Sequence, residues 1–378
     1  MSFSISENEI IFDNNFNDEL SENIIQYLSR YQIVNFGKKF NQSIDNLPSN
    51  IIQIIFQKYF NQPINKLPRS VEKIIFGKNF NQKIDNLPNS ILSIQLGDNF
   101  NQKIDNLPEN INEIYFGRNF NNLIDNLPSS IEKIFLGWFF NQKIDYLPIN
   151  LKTLVISENF NQSIDYLPIN LNYLDIGMSF NKRIDYLPQS LTFLRLGNDF
   201  NQKIDHLPMN LKTLILEGNF NQKIDNLPDS IENIVINGYF NQSIQKFPTN
   251  LKTLSISYNF NKSLDNLPFG IKSLSLGTKF NQPLDNLPNS LEKLQFKVNC
   301  VFNHPIDNLP NGLKILDMNY YFNQKIDNLP STLKKISLGD LFNQELNNLP
   351  SGLEELVLHE NYEKNIVNLP RNVRISKN

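Results

Sequence analysis

A chain of 378 residues with a net charge of −3, one cysteine and no apolar run long enough to cross a bilayer leaves out several classes of protein at once. Lys and Arg are spread along the whole length, so no basic face points to nucleic acid. The single thiol, Cys300, excludes a disulfide framework and fits a reducing, cytoplasmic compartment.

The N-terminus, Met1 to Ile10, carries Glu7 and Glu9 and does not read as a signal peptide. Residues 19–30 have helical spacing, with Leu20, Ile24, Ile25, Tyr27 and Leu28 apolar. Residues 1–30 are therefore expected to form a cap, as a short helix or a degenerate repeat, with Phe16-Asn17 as the decayed repeat. From residue 31 to 370 one period governs the chain. Phe is followed by Asn sixteen times from Phe40 to Phe342, at intervals of twenty up to Phe280. A Pro stands eight residues after each Phe, from Pro48 to Pro350, and Tyr362 replaces the last Phe ahead of Pro370. So short a fixed period predicts a solenoid, because one repeat cannot bury its own apolar face and must stack on its neighbours. Residues 371–378 read as an edge cap, where Arg371, Arg374 and Lys377 around Val373 and Ile375 discourage strand addition.

In the repeat from Pro148 to Pro168, Leu151, Leu154 and Ile156 alternate with Thr153, Val155 and Ser157, which is the pattern of a short strand with one inward face. A turn follows, often with Gly, as at Gly137 and Gly177. Phe160, Ile164 and Leu167 are the remaining inward residues. Pro fixes φ and removes a donor, so its stretch is extended or a tight turn. The expected fold is an all-β-like solenoid, a right-handed superhelix of about seventeen coils with one short parallel strand each and very little helix.

Two polar rows accompany the core. The Asn of each Phe-Asn pair is read as a buried carboxamide ladder that satisfies turn groups of adjacent coils. Asp recurs three residues before Pro, from Asp45 to Asp327. The Gly-rich ligand pattern of a calcium repeat is absent, so this row reads as turn-bonding and neither metal nor cofactor is expected. Histidines stand only at 206, 304 and 359 and meet no nucleophile, so catalysis is not expected. The period slips once, by two residues, within Phe296 to Val301, where a bulging turn is predicted.

Scaffold positions cannot discriminate partners, so the variable outward positions must. Tyr115, Phe135, Tyr173 and Phe193 fall on the outward strand face, with Asp175 and Arg195 neighbouring in the same row and Trp138 at a nearby turn. Two residues before Pro, Tyr146, Tyr166, Tyr186 and His206 replace the usual Asn in four successive repeats. Aromatic residues and Arg are typical interface anchors. An unidentified protein partner, bound by a monomer, is the expectation.

The repeat resembles a short leucine-rich repeat, with a Leu-Pro-x-x-Leu-x-x-Leu-x-Leu core from Leu147 to Ile156. The unit Phe100-Asn101-Gln102-Lys103-Ile104 is similar to the FNIP repeats of social amoebae and giant viruses. The resemblance implies a leucine-rich-repeat-like solenoid without catalysis, placed in the host cytoplasm if viral. Some relatives carry an N-terminal F-box and read substrates for a ubiquitin ligase. Residues 20–28 have only the spacing of its first helix. A ligase arm with a degenerate box, and a purely structural protein without a ligand, are the rival readings.

Overall fold

The computed structural model describes residues 3–256, 258–371 and 373–377. Within one coil the chain turns at Pro148, where the Leu151 N–H donates to the Pro148 carbonyl at 3.1 Å. The strand Thr153–Ile156 then points Leu154 and Ile156 inward and leaves Thr153 and Val155 half-buried. It pairs in parallel with Lys133–Leu136 on one side and Tyr173–Ile176 on the other, each residue facing its equivalent twenty positions away. Phe160 returns to the core and stacks on Phe140 at 6.2 Å and on Phe180 at 6.1 Å. Ile164 and Leu167 close the coil, buried as the pattern requires. A parallel-strand solenoid with one strand per coil and almost no helix results, as expected from the period.

The coils fall into two compact units. The first contains the strands up to Tyr173–Ile176, together with Tyr186–Leu191; the second contains Arg183–Asp185 and the strands from Phe193–Leu196 onward. In the first unit a second aromatic row lies beside the Phe-Asn row. Phe56 meets Phe60, and Phe76 meets Phe80, at 3.7 Å between ring centroids. Turns with Gly pack too closely for a side chain: a Cβ on Gly97 would run into the carbonyl of Gly77.

At the N-terminus a hairpin that the sequence reading did not anticipate joins the short helix and the degenerate repeat. β1 (Phe3–Ser6) and β2 (Glu9–Phe12) form an antiparallel hairpin, with Glu7 at positive φ in its turn. β2 then pairs in parallel with Ile33–Asn35. The helix α1 (Glu22–Leu28) is the only helix among the described residues, and it buries Ile24 and Leu28. Phe16 stacks on Phe40 at 5.7 Å, and the Asn41 N–H donates to Asn17 Oδ1 at 2.8 Å. Phe16-Asn17 thus makes the contacts of a true repeat, and the helix occupies the extra chain between it and Phe40.

The Asn ladder is present in part as read, with one correction. The Asn161 N–H donates to Asn141 Oδ1 at 2.9 Å, and the Asn181 N–H to Asn161 Oδ1 at 3.0 Å. These side chains are not buried, however; they are half-buried or exposed at the edge of the coil. The backbone N–H after each Phe faces outward, so its partner must stand outward too. A further ladder was not anticipated. Two residues after Pro, Ser donates to a carbonyl of the preceding coil, as Ser130 Oγ to the Ile111 carbonyl and Ser190 Oγ to the Leu171 carbonyl, both at 2.6 Å.

Candidate interaction surfaces

On the strand face of the first unit, parallel register sets Tyr115 beside Phe135, then Val155, then Asp175. The Tyr115 and Phe135 rings stack at 4.3 Å, only 7° from parallel. The Tyr115 hydroxyl donates to Glu113 Oε2 at 3.4 Å, and Lys133 Nζ lies 2.5 Å from Glu113 Oε1. Burial and the Glu113 charge raise the Tyr115 phenol above its ordinary range. Tyr173 is half-buried beside Thr153, and Asp175 is likewise half-buried. The strand face therefore presents a preformed aromatic pair, not a row of separate rings. Phe193 and Arg195 belong to the second unit, where Phe193 faces Thr213 and Arg195 Nε lies 3.5 Å from Glu217 Oε1.

Trp138 stands at the turn, 42% exposed. Sequence reading missed its companions. The Arg118 guanidinium lies 4.9 Å from the Trp138 ring centroid and 5.5 Å from that of Phe139, a cation–π contact on an open edge. The signal for it was positional: residues 118 and 138 are twenty apart and must sit in adjacent turns.

The Asp row explains the Asn that usually follows it. Asn126 Nδ2 donates to Asp105 Oδ1 at 3.3 Å, and Asn226 to Asp205 at 3.1 Å, so in these coils the Asn ties its coil to the one before, though Asn86 and Asn106 make no such bond. No group of His, Cys, Asp and Glu among the described residues is arranged to hold a metal ion. Where Tyr146, Tyr166 and Tyr186 replace that Asn, they are 71%, 70% and 73% exposed. So little of each ring is covered that they do not pack as the core phenylalanines do. Ile149 and Ile169, one residue after Pro, are also exposed. In the second unit, His206 Nδ1 lies 3.6 Å from Asp185 Oδ1, in the place of the Asn contact.

The second unit also contains a groove of about 1100 Å³ at the period slip, lined by Glu217, Tyr258, Val298, Asp317, Tyr320 and Asp340, among others. The Cys300 N–H donates to the Lys297 carbonyl at 3.0 Å, as Phe280 does to Gly277 at 3.2 Å. Cys300 therefore takes the place that Phe holds in other turns. Phe302 follows two residues later and stacks on Phe280 at 6.2 Å. Val298 and Asn299 form the turn, Asn299 at positive φ and Val298 largely exposed. Burial pushes the Cys300 thiol up to about 11.

The geometry defines a leucine-rich-repeat-like solenoid. The chain belongs to the FNIP repeat family, whose model matches ten segments, some of them overlapping, from residues 40–79 to residues 302–341. It is similar to CroV588, a giant-virus protein described as a novel circular LRR protein structure, with 32% identity and a TM-score of 0.74 over 100% of this chain and 70% of that one. It also shares its fold with YopM from Yersinia enterocolitica WA-314, at 20% identity and a TM-score of 0.61 over 98% of this chain and 86% of that one. No curated protein sequence matches it. Among the described residues no helix is long and apolar enough to cross a membrane.

Proposed function

We propose that the chain is a non-enzymatic protein-interaction scaffold, acting as a monomer in the cytoplasm, and that the first unit carries a partner-binding surface. Repeat solenoids present large surfaces on a rigid frame, and a leucine-rich-repeat-like fold is commonly put to that use. One observation carries the placement. At three successive coils the Asn that would tie one coil to the previous one is replaced by a Tyr that stands open to solvent. The replacement gives up a side chain that bonds the previous coil at Asn126 and Asn226, and it exposes an aromatic ring, which is of more use to a partner than to the fold. Ile149 and Ile169 extend the same edge, and the Tyr115–Phe135 pair, Trp138, Tyr173 and Asp175 offer contacts on the strand face and turns of the same unit.

The test is the triple change Tyr146→Asn, Tyr166→Asn and Tyr186→Asn, which restores the repeat consensus. Affinity capture from the natural host cell with quantitative mass spectrometry should lose a specific protein when this variant replaces the wild type, with melting unchanged. An equal capture profile from both proteins would remove the tyrosine edge from the reading.

A further inference from the structure

We infer that the turns after the strands of the first unit form a basic row that receives an extended acidic segment of a partner protein. The row lies in another turn of the repeat than the tyrosine edge, and neither reading requires the other. In these turns the Tyr59 N–H donates to the Lys38 carbonyl at 3.1 Å, the Asn79 N–H to the Lys58 carbonyl at 3.0 Å and the Asn99 N–H to the Lys78 carbonyl at 2.8 Å. The Asn119 N–H donates to the Asp98 carbonyl at 2.8 Å and the Phe139 N–H to the Arg118 carbonyl at 2.9 Å. These bonds fix one register, in which Lys38, Lys58, Lys78, Asp98, Arg118 and Trp138 follow one another, one to a coil. Coils repeat at about 4.8 Å, so the five steps span about 24 Å, the length of about seven residues of extended chain at roughly 3.3 Å each.

Charge decides the occupant. Lysines near the strands meet carboxylates of the adjacent coil, as Lys133 meets Glu113 and Lys152 meets Glu132. Lys38, Lys58, Lys78 and Arg118 are exposed, and among the described residues none of them forms an ion pair. Asp13, at the head of the row, accepts the Asn15 N–H at 2.9 Å. Lys58 lies 5.0 Å from the Tyr59 ring centroid, and Arg118 lies over Trp138 and Phe139. The rings steady these cations without neutralising them. The fold does not ask for a cation here: in the second unit Asn198, Gly218 and Gly238 make the same turn bond to the next coil. Like charges on successive coils repel one another, so the row costs the fold and is of use to an anion. Asp98 selects the kind of anion. A nucleic acid carries a phosphate at every residue and meets that carboxylate in mid-row, whereas a peptide can set a neutral residue against it. Beside the cations, Asn99 Nδ2 donates to Asn79 Oδ1 at 3.4 Å and Asn119 Nδ2 to Asn99 Oδ1 at 3.2 Å, and carboxamides of this kind can pair with peptide groups. Trp138 and Phe139, each 42% exposed, offer an apolar contact at the far end. Glu158 stands in the following turn, where the basic stretch stops.

The experiment titrates the whole chain into three fluorescein-labelled probes and reads anisotropy at moderate salt. They are an octapeptide of alternating Glu and Gly, one of alternating Lys and Gly, and an oligothymidylate of eight nucleotides. The Glu peptide should bind most tightly and the Lys peptide should not bind. The triple change Lys58→Gln, Lys78→Gln and Arg118→Gln should weaken binding of the Glu peptide at least tenfold. Lys223→Gln, Lys279→Gln and Lys325→Gln together remove the same charge from the second unit and should leave the affinity nearly as it was. Asp98→Asn should strengthen binding at least twofold, a gain that damage to the fold does not produce. No binding of the Glu peptide at millimolar concentration would overturn the proposal. So would tighter binding of the oligothymidylate, a loss in the second-unit variant as large as in the first, or a weaker Asp98→Asn variant.

Discussion

Replacing Phe160 by Ala tests the stacked core directly. The ring is fully buried and lies between Phe140 and Phe180, at 6.2 and 6.1 Å. An aromatic side chain buries roughly 150 to 250 Å². At about 25 cal/mol per Å² that is roughly 4 to 6 kcal/mol, of which Ala retains a part. Measured Phe-to-Ala changes in cores cost about 3 to 5 kcal/mol, the residual cavity included. The cavity here opens between two coils and weakens the contacts on both sides of the deletion, so the upper half of that range is expected. Phe135→Ala provides the contrast. It removes a half-buried ring whose main partner is Tyr115, a pair worth about 0.5 to 1.5 kcal/mol beyond area. Urea unfolding followed by far-ultraviolet circular dichroism reads both. If Phe160→Ala lowers the midpoint no more than Phe135→Ala, the inward stack does not hold the coils together.

Asn161→Ala should cost only about 0.5 to 1.5 kcal/mol in the same assay, because water can reach the N–H that Asn161 Oδ1 accepts from Asn181; a loss above about 3 kcal/mol would mean a buried ladder after all. Glu292 lies 2.8 Å from Lys272 and 2.7 Å from Lys314, and these partners hold its carboxyl down from the ordinary 4.5 to about 2. A depressed pKa contributes stability that is full above the ordinary value and is lost as pH falls through the folded one, so Glu292→Gln should flatten the stability profile between about pH 4.5 and 2, and an unchanged profile would show the pairs to be without effect. Cys300 should resist iodoacetamide at pH 8 until the protein is unfolded, since its thiol is raised to about 11; modification at the rate of a free thiol, read by mass spectrometry, would place it at the surface.

The scaffold was open to sequence reading because every coil repeats the same physical demands. Leu154, Ile156 and Phe160 are inward in the fold as they are in the pattern. The depth of the Asn ladder was misjudged for a definite reason: a carboxamide in a strict repeat looks like a buried group, yet its partner N–H lies at the outer edge of the turn. The N-terminal hairpin escaped because Phe3–Ser6 has no equivalent in the repeat and its register depends on β2, which long-range pairing with Ile33–Asn35 fixes. The groove escaped because no single segment contains it. Glu217 and Asp340 are far apart in sequence, and only the stacking of coils gives them a common wall. The slip at Cys300 was visible as an extra pair of residues, but not that a buried Cys300 would take the turn hydrogen bond while Phe302 keeps the place in the aromatic stack.

In a chain of this kind the residues that recur most are the least informative about use. Each Phe, Asn and Pro answers a demand of the neighbouring coil, and the same answer is given in coil after coil. Function is better sought where a coil gives up a scaffold contact without an internal return. Asn126 ties Asp105 to the next coil; Tyr146 stands at the equivalent place and leaves its ring in water. Returning that position to Asn offers the fold a hydrogen bond worth about 0.5 to 1.5 kcal/mol, less whatever water already supplies. Tyr146→Asn should therefore melt at or slightly above the wild-type temperature. A clear fall in melting temperature would mean that the tyrosine serves the solenoid itself, and the argument that its exposure marks a partner would lose its basis.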